Sequence, residues 1–380
     1  MKYFISAGEA SGDLHAGRLI VALREADPRA QFMFLGGDEM AAAAGHGPVT
    51  HYRDMAFMGF SEVLRNLRKI SGNFSTARRA LRAMQPDALI LVDYPSFNLR
   101  LAKEAKKLGI PVYYYIAPKV WAWKSWRVKT MRRLVRRIYS ILPFEPAWFG
   151  ERGVDVEYVG NPSVGEIRQR IASLPSREEF CRIHGLDPER EILVLVPGSR
   201  RGEIRCNLPV MQEVASRYPS MQAVVAGAPA ISSEIYRSIA PEAMILTDAT
   251  TALMRHARAA LVTSGTATLE CALCMTPQVA CYRANGSRLS YNIMKRLIKC
   301  PFVTLPNLIA GREVIPEMLV HLCTPDAVDA RLRPLLGDTD ERRSQLEGYR
   351  LMSRNLATAD SAATTANRII TDLNKLKGNA

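Results

Sequence analysis

Short apolar runs bounded by Gly, Pro or Asp alternate along the chain with longer segments of helical period. In the first half the strand-like runs are KYFISA (2–7), QFMFLGG (31–37), DALILVD (87–93), VYYYIAP (112–118), IYSILPF (138–144) and VEYVGNP (156–162). Helical stretches such as 61–84 and 123–137 lie between them. The second half repeats the rhythm with EILVLVPG (191–198), MQAVVAG (221–227), AMILTD (243–248), ARAALVTSG (257–265) and PQVACY (277–282). Strands that are apolar throughout and alternate with helices indicate parallel sheets covered on both faces. The pattern restarts after the polar stretch 174–190. The chain therefore reads as α/β, with two Rossmann-like, doubly wound parallel-sheet domains facing across a cleft. The first is expected over 1–165 and the second over 166–335. Helices over 336–380 are expected to pack back across the domains or onto a partner subunit. Ligands of such sheets bind outside the carboxyl ends of the strands, so the chemistry belongs in the loops that follow them.

In the first domain two such loops stand out. The first strand runs into Gly8-Glu9-Ala10-Ser11-Gly12-Asp13, where two glycines permit a tight turn and close approach of a ligand. The spacing is not GxGxxG, so a dinucleotide site is a poor fit; a plain turn capped by Ser11 or Asp13 is the alternative. The strand DALILV ends at Asp93, followed by Tyr94-Pro95-Ser96-Phe97-Asn98. A carboxylate at that place can take a proton from an attacking hydroxyl, or it can cap the next helix, a task Asn98 also suits.

The second domain opens with Pro197-Gly198-Ser199-Arg200-Arg201-Gly202-Glu203 after its first strand. Ser199 and the forked guanidinium of Arg200 make a diphosphate grip, unless the segment is only a basic surface turn. Further on, Ser264-Gly265-Thr266-Ala267-Thr268-Leu269-Glu270 opens an apolar helix and would present N–H groups to a phosphate. Glu270 suits a ribose diol as well as it suits a solvated helix face. Asn307 and Glu313 stand in the turn LPNLIAGRE. Asn307 either bonds a base or sugar or anchors its own loop. Without a GKS or GKT element, an ATPase is disfavoured.

The balance of 51 basic and 37 acidic residues leaves +14, which fits an anionic partner of some kind. Two segments narrow the choice. Trp121-Ala122-Trp123-Lys124-Ser125-Trp126-Arg127 leads into VKTMRRLVRRI, a composition that suits phosphates and lipid headgroups, single-stranded nucleic acid, or merely a solvated basic helix. Phe57, Met58, Phe60 and Leu64, beside Arg65, Arg68 and Lys69, form an apolar run with basic neighbours. That run suits insertion into an anionic bilayer or an acyl-chain pocket, with core packing as its rival. The seven cysteines show no regular framework, and Cys271–Cys274 is a lone CxxC in an apolar segment, read as helix packing. No window is long and apolar enough to span a bilayer, and the N-terminus lacks the form of a secretory signal. The expected location is cytoplasmic, with any membrane contact made from the side.

Taken in order, GEASGD, DYPSFN, PKVWAWK, ILPFE, PGSRRGEI, SGTATLE and LPNLIAGRE resemble the lipid-A-disaccharide synthases, from residue 6 to about residue 320. The resemblance implies a two-domain glycosyltransferase of the GT-B type. Such enzymes move a diacylated glucosamine from its UDP donor to 2,3-diacylglucosamine 1-phosphate, releasing UDP and forming a β-1,6 disaccharide. It implies Asp93 as general base on the acceptor 6-hydroxyl, and Arg200 with the SGTATLE start on the diphosphate. Asn307 and Glu313 fall on the donor side; Glu9, Ser11 and Asp13 line the facing wall. It implies inversion in one displacement, no cofactor and no metal, because helix dipoles and basic side chains stabilise the leaving group. It further implies work at the inner face of the cytoplasmic membrane, with a homodimer as a candidate assembly. The family usually reads GETSGD and DAPDFN, so Ala10, Tyr94 and Ser96 are local variants, and Asn161 stands where a His is common. A UDP-N-acetylglucosamine 2-epimerase or another UDP-sugar transferase would share the grip on the donor but needs no acyl surface. Nucleic-acid binding is disfavoured, since no such motif occurs and the remaining basic residues are scattered.

Overall fold

The computed structural model describes residues 1–55, 67–122, 125–229, 231–283, 301–356 and 360–378. The chain divides into two compact units, Met1–Pro162 with Ala357–Ala380, and Ser163–Leu356. The segment expected as one block over 336–380 is therefore split. The helix Asp340–Asn355 stays with the second unit, whereas Ser361–Gly378 belongs to the first.

The first unit holds a seven-stranded parallel sheet in the order β3-β2-β1-β4-β5-β6-β7. Its strands are β1 Lys2–Ala7, β2 Gln31–Gly36, β3 Thr50–His51, β4 Ala88–Val92, β5 Val112–Tyr115, β6 Arg137–Ser140 and β7 Glu157–Tyr158. Side chains alternate between two cores. Tyr3, Ile5, Ile90, Tyr113 and Tyr115 face one side, and Phe4, Leu89, Leu91 and Tyr114 face the other. Both sides being apolar, each strand reads as a continuous hydrophobic run. The first core is closed by the helices Ala10–Ala26 and Ser361–Gly378, the latter inserting Ala362, Ala366, Ile369 and Leu373. Asp372 fixes that return: its carboxylate accepts from the Tyr113 hydroxyl at 2.7 Å and pairs with Arg136. Burial opposes the charge of Asp372, but Arg136 and Tyr113 hold its carboxyl below the ordinary range.

The second unit has a six-stranded parallel sheet, β10-β9-β8-β11-β12-β13. The strands are β8 Ile192–Val196, β9 Gln222–Gly227, β10 Met244–Thr247, β11 Ala259–Thr263, β12 Gln278–Tyr282 and β13 Glu317–Leu319. Both sheets reverse their strand order once, between β1 and β4 and between β8 and β11. In open parallel sheets this reversal opens a crevice at the carboxyl edge where ligands bind. The sequence-based reading of two doubly wound parallel-sheet domains agrees with this architecture. The short strands β3 and β13 were not foreseen.

Candidate functional site

The reversal in the first sheet falls on the two loops singled out by their residues. Ala7 pairs with Val92, so Gly8-Glu9 and Asp93-Tyr94 leave the sheet side by side. Asp93 and Tyr94 both take left-handed backbone, with φ of 41° and 44°, a conformation that costs non-glycine residues energy and needs outside support. Asn98 supplies it. Fully buried, its amide nitrogen donates to the carbonyls of Asp93 (2.8 Å), Val92 (3.2 Å) and Ser6 (3.3 Å), while its oxygen accepts from Ser6 Oγ at 2.7 Å. Tyr114 donates its hydroxyl to the Asp93 carbonyl at 2.5 Å. The Asp93 carbonyl is thus held by two donors, and its carboxylate is left to the edge of the sheet. Burial pushes the Asp93 carboxyl above the ordinary range, against the nearby Lys119 ammonium and the Tyr94 N–H.

Gly8 serves a different need from the one its motif suggests. A Cβ there would lie 2.2 Å from Cδ1 of Tyr94, so the glycine makes room for that ring rather than for a ligand. The Tyr94 hydroxyl donates to the Met55 carbonyl at 2.8 Å. Glu9 precedes the helix Ala10–Ala26 in extended conformation, and Ser11 is exposed on its first turn. Asp13 is taken up by the backbone that follows β2. It is 2% exposed, and its carboxylate accepts from the N–H groups of Gly37 (2.6 Å), Glu39 (3.1 Å) and Met40 (3.3 Å). It therefore anchors the start of the helix Asp38–Ala44.

Two further groups reach the same edge without having been given a role by sequence reasoning. Lys119 follows β5 and acts electrostatically on both Asp93 and Glu145. Glu145 follows β6, is 1% exposed, and accepts at Oε1 from Trp121 Nε1 at 2.9 Å. Desolvation pushes its carboxyl up to about 7, although Trp121, Ser140 and Lys119 favour the charge. Both lie in segments that had been noted, PKVWAWK and ILPFE. The signal was a charged residue directly after each apolar strand.

In the second sheet Val196 pairs with Val262, which brings Gly198-Ser199-Arg200 beside Ser264-Gly265-Thr266. Gly198 has φ of 118°, and a Cβ would lie 2.6 Å from Glu203 Oε2. Glu203 bridges this loop, accepting from the Ser199 N–H at 3.2 Å and from Arg200 Nη1 at 3.0 Å. A carboxylate of the chain thus occupies the two donors assigned to a diphosphate. Gly265 caps the helix Thr266–Leu273 without side-chain help, and open space lies where its Cβ would be. Gly265 and Thr266 are exposed, Ser264 and Ala267 half-buried. The buried Thr268 hydroxyl turns inward to the Gly265 carbonyl at 2.7 Å. Glu270 accepts from Thr251 Oγ1 at 2.5 Å and from Arg170 at 3.4 Å.

Asn307 and Glu313 are not brought to this edge. Asn307 is fully buried: its oxygen accepts from the N–H groups of Val314 (2.7 Å) and Ile315 (2.9 Å), and its nitrogen donates to the Ile315 carbonyl and Glu317, both at 2.9 Å. The amide anchors its own loop. Glu313 precedes the amino end of β13, at the opposite edge of the sheet, and lines a cavity of about 670 Å³ with Arg331, Asp340 and Glu341. Of the expected membrane patch, Phe57, Met58, Phe60, Leu64, Arg65 and the Arg68 side chain lie outside the described residues. Lys69 is described, and pairs with Asp54 at 2.8 Å.

A family model described as lipid-A-disaccharide synthetase matches residues 3–369. The chain belongs to this family. The lipid-A-disaccharide synthase of Myxococcus xanthus is 38% identical over 379 residues, covering 97% of both chains. That of Geobacter metallireducens is 36% identical over 385 residues, covering 98% of both. Among solved structures, the UDP-GlcNAc 2-epimerase of Neisseria meningitidis, bound to UDP-GlcNAc, superposes with a TM-score of 0.63 at 12% identity, covering 99% of this chain and 100% of that one. MurG of Acinetobacter baumannii gives 0.56 at 14%, covering 97% and 99%. At such identities the structural likeness speaks for the shared GT-B architecture alone. The lipid-A-disaccharide synthetase family consists of glycosyltransferases, and the two sheet reversals are where this member carries its clustered polar loops. Among the described residues no helix is long and apolar enough to cross a membrane.

Proposed function

We propose that this chain transfers 2,3-diacylglucosamine from its UDP donor to the 6-hydroxyl of 2,3-diacylglucosamine 1-phosphate, releasing UDP and forming the β-1,6 disaccharide of lipid A biosynthesis. The observation that carries the reading is Asp93, a carboxylate at the first sheet reversal whose backbone is pinned and whose proton affinity is raised by burial. A base of raised pKa is a better proton acceptor for a hydroxyl that becomes more acidic as it attacks. Attack by that oxygen on the anomeric carbon expels UDP in a single displacement, which inverts the centre and needs no covalent nucleophile. On the donor side, Arg200, the Ser199 N–H and the open start of the helix Thr266–Leu273 receive the diphosphate. The forked guanidinium and free N–H groups offset the charge that grows on the leaving group. Binding there requires the Glu203 carboxylate to yield its two donors. Glu270 is the candidate for the ribose hydroxyls. The family's activity on lipids and the net charge of +14 support a location at the anionic inner face of the cytoplasmic membrane.

The test is to incubate purified protein and its Asp93→Asn variant with both lipids in detergent, following UDP release and disaccharide mass. Disaccharide from the wild type alone, with the variant folded and still binding UDP, is the expected result. A variant retaining more than about a tenth of the wild-type rate would remove Asp93 from the role of base, since general bases contribute roughly 100-fold or more.

A further inference from the structure

A small pocket of about 150 Å³ opens beside the first sheet reversal, between the helices Pro95–Lys107 and Arg127–Leu134. Ser96, Arg100, Lys103, Trp126 and Arg127 line it. Ser96, Arg100 and Lys103 stand at helical spacings of four and three, so they share one face of their helix. Arg127 reaches across from the second helix and donates to Ser96 Oγ at 2.9 Å. Three cations thus converge on one hollow. Among the described residues no carboxylate lies within ion-pair distance of any of them. The one acid in these two helices, Glu104, is turned elsewhere and paired with Arg82 and Lys107.

Convergent cations repel one another, and folded proteins usually relieve this with a neighbouring acid. Here the geometry keeps the charges available instead. The Arg100 guanidinium lies over the Phe74 ring, 4.4 Å from its centroid, and that of Arg127 over Trp126 at 5.5 Å. Stacking occupies the face of a guanidinium and leaves its N–H edge for an oxyanion. Trp126 is 64% exposed, the most exposed large hydrophobic side chain among the described residues, and its indole N–H is a further donor. The helix Pro95–Lys107 begins at this pocket with no side-chain cap, so its positive end adds to the field. The volume equals about five water molecules, enough for a phosphate group and too small for an acylated sugar.

We propose that this pocket binds a phosphate monoester and that, if the transfer reaction inferred above is correct, the ligand is the 1-phosphate of the lipid acceptor. Ser96 follows Asp93 by three residues, a span of at most about 11 Å of chain. In a pyranose C5, which bears the 6-hydroxymethyl group, and C1, which bears the phosphate, are both bonded to the ring oxygen, so the two groups project from neighbouring positions of the ring. One acceptor can therefore offer the hydroxyl to Asp93 while its phosphate rests on Arg100, Lys103 and Arg127. The pocket then fixes which hydroxyl of the sugar faces the base.

The experiment compares binding of 2,3-diacylglucosamine 1-phosphate with that of the same lipid lacking the phosphate, in neutral detergent micelles, for wild type and Arg100→Gln/Lys103→Gln. Both substituted side chains are exposed, so the fold should survive, and circular dichroism checks this. Wild type is expected to prefer the phosphorylated lipid by about tenfold or more, and the variant to lose most of that preference. A preference unchanged in the variant, or an equal loss for both lipids, overturns the proposal. Disaccharide formation is followed in the same micelles. Its absence in wild type, with the phosphate preference present and lost in the variant, refutes the transfer reaction and leaves the pocket standing. Phosphatidylglycerol vesicles without acceptor supply the last arm. Equal binding by both proteins is expected. Weaker vesicle binding by the variant, with its preference in micelles intact, would assign the cations to bilayer phosphodiesters and overturn the proposal.

Discussion

Replacing Gly8 by alanine tests whether the carboxyl edge of the first domain's sheet is built by steric fit between two loops. The added methyl would sit 2.2 Å from Tyr94 Cδ1, 2.3 Å from Cγ and 2.7 Å from Cε1, where carbon atoms prefer about 3.5–4 Å. The ring must therefore move by more than an ångström. Doing so strains its hydrogen bond to the Met55 carbonyl and its stacking on Phe97, whose centroid lies 6.0 Å away. Overpacking of this kind costs about 1–3 kcal/mol, and the lost bond adds about 1 kcal/mol. The expected loss is thus roughly 2–4 kcal/mol. In a Tyr94→Ala background the methyl enters space that the ring has vacated, so Gly8→Ala should cost almost nothing there. The coupling between the two sites should exceed about 1 kcal/mol. Two-domain chains need not unfold in one step, so the readout is amide hydrogen exchange of β1 and β4, which reports on this domain alone. Transfer should fall by about 100-fold in the single variant, because Asp93 adjoins the displaced ring. A Gly8→Ala protein as protected as wild type, or one that loses the same amount with and without Tyr94, refutes the reasoning.

Other consequences can be checked alongside. The Glu145 carboxyl moves from its ordinary 4.5 to about 7 on folding, so between those values the folded chain holds more protons than the unfolded one. Its contribution to stability is therefore lost as pH rises through that window. At about 1.4 kcal/mol for each tenfold change in proton affinity the loss approaches roughly 3 kcal/mol. Glu145→Gln should flatten this dependence and be the more stable protein at pH 8; urea melts at pH 5 and pH 8 that change equally in both proteins would refute it. Asn307→Ala removes four hydrogen bonds, three of them buried, and should destabilise the second domain by about 3 kcal/mol. Exchange protection of β13 is the measure, and an unchanged value would return Asn307 to a ligand-binding role. A general base acts only when ionised; with Asp93 in the base role proposed above and its pKa raised by burial, kcat/KM should fall as pH drops through a value above the ordinary carboxylate range. An acid limb at or below that of a free aspartate would contradict this.

The strands were legible because parallel strands buried on both faces carry uninterrupted apolar runs, and β1, β4, β8 and β11 show this most clearly. Thr50–His51 and Glu317–Leu319 were invisible for the opposite reason: at the sheet edges, two or three half-buried residues leave no periodic signal. Polar residues in the loops were harder to assign. Asp13 and Asn307 have the donor and acceptor chemistry that a ligand would need, and backbone N–H groups of a distant turn need the same chemistry. Only the fold shows that the chain itself occupies them. Lys119 and Glu145 stand far from Asp93 in sequence, and it is the β4-β5-β6 neighbourhood that gives them a common edge.

The return of residues 361–378 to the first domain has a bearing on how the protein is made. During synthesis the strands of the first sheet leave the ribosome long before the helix that covers Ala16, Leu19, Ile20 and Leu23 exists. The intervening unit, Ser163–Leu356, holds all its own strands and can condense in the meantime. Order of emergence and order of completion are therefore reversed: the domain begun first is finished last. Until then its apolar flank is exposed in the crowded cytosol, where chaperones and misfolding compete for it.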